Sequence, residues 1–258
     1  MIILAGPCQI ESADHALRMA EALFEIACRL NTDIIFKASF DKANRTSATS
    51  PRGVGLQKAV EVFRKVKEQT GLKVITDVHE SWQCEPIAEV VDILQIPAML
   101  MRQTDLIEAA AKTGRHINIK QMQSLPREQM AHAVGKARRT GATTVWATER
   151  GASFGLHDLV VDMRSIPILK ASGADAMIFD CTHSVQAPGS LGGSTGGARQ
   201  YTPVLARAAI AAGADGLFLE CHDDPDNALS DGPVMMRLEV VEDFLRRMIG
   251  LHEFVASP

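Results

Sequence analysis

Residues 34–47 read Ile34-Ile-Phe-Lys-Ala-Ser-Phe-Asp-Lys-Ala-Asn-Arg-Thr-Ser47. The first part, residues 34–38, is a short apolar, β-branched run, the pattern of a buried strand. The second part is a polar loop that gathers Lys37, Lys42 and Arg45 with Ser39, Thr46 and Ser47. Three cations and several hydroxyls at a strand end suit an oxyanion, either a phosphate or a carboxylate. A solvated charged loop is the alternative reading. Lys37 weighs against it, because an unpaired ammonium inside an apolar run is costly to bury.

The same pattern recurs along the chain. Apolar runs at residues 2–5, 34–38, 73–77, 91–95, 116–120, 144–148, 176–180 and 216–220 read as strands. Amphipathic stretches at 13–30, 56–69, 82–90, 105–113, 127–139, 162–171, 203–212 and 238–249 read as helices. Gly71, Gly114, Gly141, Gly173 and Gly213 supply stop signals. Eight strands alternating with eight helices predict a single α/β domain over residues 1–258, a (β/α)8 TIM barrel. A doubly wound open sheet is the rival, and it usually has fewer strands at this length.

The chain has 258 residues, 46% hydrophobic and 22% charged, an ordinary soluble composition. A formal net charge of −4 argues against a nucleic-acid partner, so any basic site must be local. No apolar run approaches the roughly 20 residues that span a bilayer. The apolar start lacks a basic leader and is too short for a signal peptide. Five cysteines without paired spacing fit a reduced, cytoplasmic setting. Cys28, Cys84, Cys181 and Cys221 read as structural or inert, and His15, His132 and His252 as surface residues.

Barrel enzymes place their chemistry at the C-terminal ends of the strands. Those ends carry Cys8, Lys37, Asp77 with His79, Gln95, Lys120 with Gln123, Glu149 with Arg150, Asp180 with His183, and Glu220 with His222. Two sets separate by chemical type. Lys37, Lys42, Arg45, Lys120 and Arg150, with Arg102 beside them, suit a polyanionic substrate such as a phosphorylated carboxylic acid with a second phosphate. Cys8, His183, Glu220 and Asp231 bring a thiolate, an imidazole and two carboxylates, donors suited to a divalent transition metal. Taken singly, Cys8 also reads as a small buried hydrophobe, His183 as a hydrogen-bonded core group, and Asp231 as the start of an Asp-Gly-Pro turn. The Gly-rich segment 189–197 is neither a Walker loop nor a dinucleotide fingerprint. A lid over the barrel mouth and a plain flexible loop are equally good readings of it.

Several motifs together resemble the 3-deoxy-D-manno-octulosonate 8-phosphate synthase family. They are Ala5-Gly-Pro-Cys-Gln-Ile-Glu-Ser12, Phe36-Lys-Ala-Ser-Phe-Asp-Lys-Ala-Asn-Arg-Thr-Ser47, Thr76-Asp-Val-His79, Arg102-Gln-Thr-Asp105, Asp180-Cys-Thr-His-Ser-Val-Gln186 and Leu229-Ser-Asp-Gly232. The Lys-Ala-Asn-Arg stretch is the most specific, since related heptulosonate synthases have Lys-Pro-Arg-Thr-Ser there. The resemblance implies a barrel, usually a homotetramer, that condenses phosphoenolpyruvate with arabinose 5-phosphate and water. It further implies that Lys37, Ser39, Lys42, Lys120, Gln123 and Arg150 hold phosphoenolpyruvate, with His183 close by. Arg45 with Thr46 or Ser47 would meet the sugar phosphate, with Arg102 supplied by a neighbouring subunit. Asn44 and Asp77 would face the sugar, and Gln95 is expected among the substrate-binding groups. Metal-dependent members have a Cys after the Gly-Pro, which places Cys8 with His183, Glu220 and Asp231 around a divalent Zn, Fe, Mn or Co ion. The chain departs from the family at Lys120-Gln-Met-Gln123, where a second Lys and a small residue are usual, and at Met99, where Phe is common. It also begins almost on the first strand.

Overall fold

The computed structural model describes residues 1–43, 51–153, 158–190 and 195–256. Eight parallel strands form the barrel: β1 (Ile2–Gly6), β2 (Ile35–Lys37), β3 (Val74–Asp77), β4 (Ile93–Ile96), β5 (His116–Lys120), β6 (Val145–Glu149), β7 (Ala176–Asp180) and β8 (Gly216–His222). Each pairs with the next in chain order. The pairing of β1 with β8, from Ile2 opposite Gly216 to Gly6 opposite Glu220, closes the ring. Eight helices follow the strands: α1 (Ala13–Leu30), α2 (Leu56–Thr70), α3 (Ser81–Ala88), α4 (Thr104–Lys112), α5 (Met130–Arg139), α6 (Ser165–Lys170), α7 (Thr202–Ala211) and α8 (Leu238–Ala256). The open-sheet alternative is thereby excluded. The boundaries differ from the sequence reading mainly at α6, which starts at Ser165, and at α8, which continues to Ala256. At α6 the Asp162 side chain and carbonyl accept from Arg164 and Ser165, so a turn replaces the expected first helical turn.

The helices form because their apolar faces match the outer wall of the barrel. In α1, Ala16, Met19, Ala20, Leu23, Ile26 and Ala27 recur at helical spacing and are buried. Ser12 caps the helix, accepting from the His15 N–H at 3.1 Å. Asn31 ends it in the left-handed region, at φ 47°, and its N–H reaches back to the carbonyls of Ala27 and Cys28.

The strands alternate between two environments. Ile3, Ala5, Val74, Leu94, Ile117, Ile119, Val145, Ala147, Met177, Phe179, Leu217 and Leu219 face the helices and join the large outer core. Leu4, Ile75, Ile93, Trp146, Ala176, Ile178 and Phe218 face inward and form a separate barrel plug, with Ile2 and Ile35 against it. Side chains two apart on a strand share a face. The inward residues just beyond the plug are therefore Lys37, Asp77, Gln95, Thr148, Asp180 and Glu220. An apolar floor beneath a polar mouth is written into six of the eight strands, all but β1 and β5, as an apolar residue followed two places later by a polar one.

Candidate active site

The mouth opens on a cavity of about 1000 Å³, lined in part by Lys37, Lys42, Asp77, His79, Gln95, Lys120, Gln123, Arg150, His183, Gln186 and Asp231. Lys37, Lys120 and Arg150 are at most 9% exposed, so their charges must be answered inside the protein. Lys37 Nζ lies 2.7 Å from Glu220 Oε1 and donates to the Cys8 carbonyl at 3.2 Å. Burial opposes its charge, but Glu220 and Asp77 outweigh burial and raise its pKa. Lys120 has the opposite balance. Burial lowers its pKa, and Arg150 and Lys37 add to that against the pull of Asp180. Its ammonium pairs with Asp180, stands 3.9 Å from the Phe218 ring centroid and lies 3.4 Å from His183 Nδ1.

A chain of side-chain hydrogen bonds fixes the β2–β6 side of the mouth. Thr148 donates to Asn118 at 2.7 Å, Asn118 to Gln95 at 2.8 Å, and Gln95 to Asp77 Oδ1 at 2.5 Å. Ser39 donates to the other Asp77 oxygen, and Lys42 donates to Ser39 at 3.1 Å. Burial pushes the Asp77 carboxyl up, but Lys37 and Lys42 hold it well below the usual carboxylate range. On the opposite side, the Asp180 carboxylate accepts from Thr182 and from the His183 N–H, and meets His183 Nδ1 at 2.7 Å. Arg150 donates to Gln186, which in turn donates to Asp231 at 3.0 Å. The Arg150 Nε is buried without a hydrogen-bond partner, a free donor at the cavity wall.

The metal-ligand expectation can be tested on geometry. Cys8 reaches the site because the segment after β1 pairs with the segment after β2: Ser39 N–H donates to the Cys8 carbonyl and Ile10 N–H to that of Ser39. Donor atoms of Cys8, Glu220 and Asp231 all lie within 4.8 Å of one another. Cys8 Sγ is 3.1 Å from Asp231 Oδ2. His183 Nε2 sits at the edge of this trio, 3.6 Å from Glu220 Oε2 and 3.8 Å from Asp231 Oδ2. Glu220 Oε2 is buried without a hydrogen-bond partner, an orphan that a cation would satisfy. Asp231 holds a left-handed backbone, φ 51°, which aims its carboxylate back at Cys8. Burial, with Glu220 next, pushes the Cys8 thiol up, so a cation would be needed to draw out the thiolate. The donor set therefore fits a divalent transition metal.

Other expected residues fall elsewhere. Arg102 is exposed and outside the cavity lining, with its carbonyl accepting from Lys136. Asn44, Arg45, Thr46 and Ser47 lie outside the described residues, as does the middle of the Gly-rich segment. Thr195 and Gly197, at the end of that segment, line the cavity. Glu149 does not face the mouth; it turns back to accept from the N–H groups of Arg150 and Gly151. His15 is not a surface residue but is 6% exposed, packed against His222. All five cysteines are unpaired, and burial raises the Cys84 and Cys221 thiols to about 12, consistent with inert roles for both.

Gln186, Asn118, Thr148, Thr182 and Phe218 were missed as site residues, and Asp180 was seen only as a strand end. Strand parity would have found Asn118, Thr148, Asp180 and Phe218. Gln186 opens a two-residue strand and Thr182 lies in a turn, both too short for a period to operate.

Among the described residues no helix is long and apolar enough to cross a membrane. The chain is 54% identical over 247 residues to the 2-dehydro-3-deoxyphosphooctonate aldolase of Nitrobacter winogradskyi, covering 96% of this chain and 86% of that protein. It is 52% identical over 256 residues to the protein of the same name from Bradyrhizobium diazoefficiens, covering 99% and 91%. A protein of that name from a Bradyrhizobium species is 50% identical over all 258 residues, 90% of its length. The DAHP synthetase I family model matches residues 1–257, and the chain belongs to that family.

Proposed function

We propose that this protein condenses phosphoenolpyruvate with arabinose 5-phosphate and water, giving 3-deoxy-D-manno-octulosonate 8-phosphate and inorganic phosphate. The observation that carries the reading is the convergence of buried Lys37, Lys120 and Arg150 with Lys42 on one cavity. Four cations on one cavity, with Arg150 bonded to a neutral Gln186 and its Nε free, suit a substrate with several negative charges. The names of the relatives favour the octulosonate product over a heptulosonate one. So does the Lys42-Ala-Asn-Arg45 motif.

In this reading Lys120, Gln123 and Arg150 hold phosphoenolpyruvate, and the free Arg150 Nε offers one more donor to its anionic groups. Ser39 and Lys42 bind on the other side, oriented by Asp77, which with Asn44 faces the sugar. Gln95 keeps Asp77 in place. Arg45, Thr46 and Ser47 take the sugar phosphate, with Arg102 of a neighbouring chain in a homotetramer. The C3 carbon of phosphoenolpyruvate attacks the aldehyde carbon, and the aldehyde oxygen takes a proton. Water adds at C2, and the C2–O bond breaks to release phosphate. Lys120, an ammonium paired with Asp180, is placed with neighbouring His183 to give the aldehyde oxygen its proton and to take up the one that water gives up. Cys8, His183, Glu220 and Asp231 would hold a divalent Zn, Fe, Mn or Co ion. When bound, that ion supplies Lewis-acid polarisation and orients the aldehyde.

Phosphate release with phosphoenolpyruvate and either arabinose 5-phosphate or erythrose 4-phosphate tests the acceptor. Arabinose 5-phosphate should be strongly preferred, and equal or reversed rates would refute it. In oxygen-18 water the released phosphate should carry no label, because the C–O bond is the one that breaks. Exhaustive chelation should abolish turnover, with Mn or Co restoring it. Cys8→Ala should stay inactive and lose bound metal by elemental analysis. Full activity in a metal-free preparation would remove the ion from the reading.

A further inference from the structure

A second cluster of metal-ligating groups lies outside the cavity lining. One ring nitrogen each of His15 and His222 and a carboxylate oxygen of Glu11 lie within 4.8 Å of one another. The histidines are 6% and 5% exposed. Their rings face each other with centroids 4.5 Å apart. His15 Nε2 meets Asp223 Oδ1 at 3.0 Å, which leaves His15 Nδ1 buried and without a hydrogen-bond partner. His222 Nε2 is likewise buried and unpartnered, although Glu11 Oε1 stands 3.3 Å away. Two buried histidines each present an unused nitrogen, and a carboxylate stands beside them.

We propose that Glu11, His15 and His222 form a second divalent transition-metal site, of the zinc type, distinct from the Cys8 site. Ligand bonds of 2.0–2.2 Å in a tetrahedral zinc site put neighbouring donors about 3.3–3.6 Å apart. The His222 Nε2 to Glu11 Oε1 distance of 3.3 Å already matches that edge, and binding would draw His15 in. Metal-bound histidines usually donate their other N–H to a carboxylate. Asp223 provides this for both rings, with Oδ1 at 3.0 Å from His15 Nε2 and 3.1 Å from His222 Nδ1. At present His222 Nδ1 accepts from the Asp224 N–H at 2.9 Å. Binding through Nε2 requires the proton to move to Nδ1. The Asp224 N–H then keeps an acceptor, because Asp223 Oδ1 is 3.1 Å from it. Two histidines and a glutamate leave one tetrahedral position for water.

The site's place in the fold suggests what it does. Glu11 lies on the segment joining β1 to α1, which carries Cys8, and His15 in the first turn of α1; His222 ends β8, and Asp223 opens the loop that carries Asp231. Glu11 Oε1 also accepts from Leu229 N–H at 2.9 Å, two residues before Asp231. An ion here clamps together the two segments that supply Cys8 and Asp231.

The test is metal content of the purified full chain, stripped with chelator, reloaded with Zn or Co and freed of excess. The wild type should hold about two equivalents per chain, and Glu11→Gln and His15→Gln about one each. The cobalt protein separates the sites. A thiolate-to-cobalt charge-transfer band reports Cys8, and both variants should keep it while losing absorption from nitrogen- and oxygen-bound cobalt. Glu11→Gln is the gentler variant, because Gln still accepts from the Leu229 N–H. A wild type that saturates at about one equivalent with the thiolate band, or variants that retain two, overturns the proposal. About one equivalent without the band, lost in both variants, supports this site and removes the first.

Discussion

Lys120 and Arg150 show how one barrel mouth holds several cations without repelling itself apart. Each has its own partner, Asp180 for Lys120 and Gln186 for Arg150. Lys120 is the more delicate, because burial lowers its pKa and Asp180 partly restores it. Asp180→Asn keeps the shape but removes the restoring charge, so the Lys120 pKa should fall further. A reaction that needs the ammonium then loses activity at lower pH as pH rises. The alkaline limb of kcat/KM should move to lower pH in this variant. An unmoved limb would show that the ionisation of Lys120 does not control the rate. Removing the cation altogether, as in Arg150→Ala, should cost about 1.5–3 kcal/mol of transition-state binding, a loss of roughly 10–150-fold in kcat/KM for phosphoenolpyruvate.

Among the elements, α1 borders both clusters of metal-ligating groups, as β8 does through Glu220 and His222. It starts directly after the segment carrying Cys8 and Glu11, and its first turn carries His15. Ser12 fixes that start by accepting from the His15 N–H at 3.1 Å. Ser12→Ala should lower stability by about 0.5–2 kcal/mol, read by urea denaturation, since an N-cap hydroxyl is lost with no replacement. Ser12→Asp should retain most of the stability, because its carboxylate can accept the same bond. Equal stability of the alanine variant and the wild type would mean that the cap is not contributing.

For the whole molecule, closure of the ring depends on a close approach at Gly216. A Cβ there would stand 2.4 Å from the Ile2 carbonyl oxygen and 2.7 Å from Ile2 Cβ, both on the neighbouring strand. Backbone cannot yield as a flexible side-chain tip can, so Gly216→Ala should destabilise the barrel by about 1–3 kcal/mol or more. Thermal unfolding should shift down in one cooperative step, because β1 and β8 belong to the single closed sheet. A separate early transition would show that the first and last strands melt apart from the rest.

The local pattern of the chain was enough to give the barrel. Apolar runs bounded by turn residues predicted eight strands, and β5 and β7 fall on the expected residues. The cause is physical. A strand walled by helices outside and by other side chains inside is apolar on both faces, and only a change of environment at the mouth admits Lys37, Asp77 or Glu220. The same regularity made the candidate site largely legible, since most of the residues named sit at strand ends. What tertiary structure decided was pairing. Nothing local says that Lys37 answers Glu220, that Lys120 answers Asp180, or that Gln186 spans Arg150 and Asp231. Nor does it say that His15, on a helix face that reads as exposed, would be buried against His222, which lies more than two hundred residues later. Sequence periodicity reports which face a residue takes, because that depends on its own backbone. Partners and burial depend on which distant segment closes over that face, and the closing of β1 onto β8 settles that only in three dimensions.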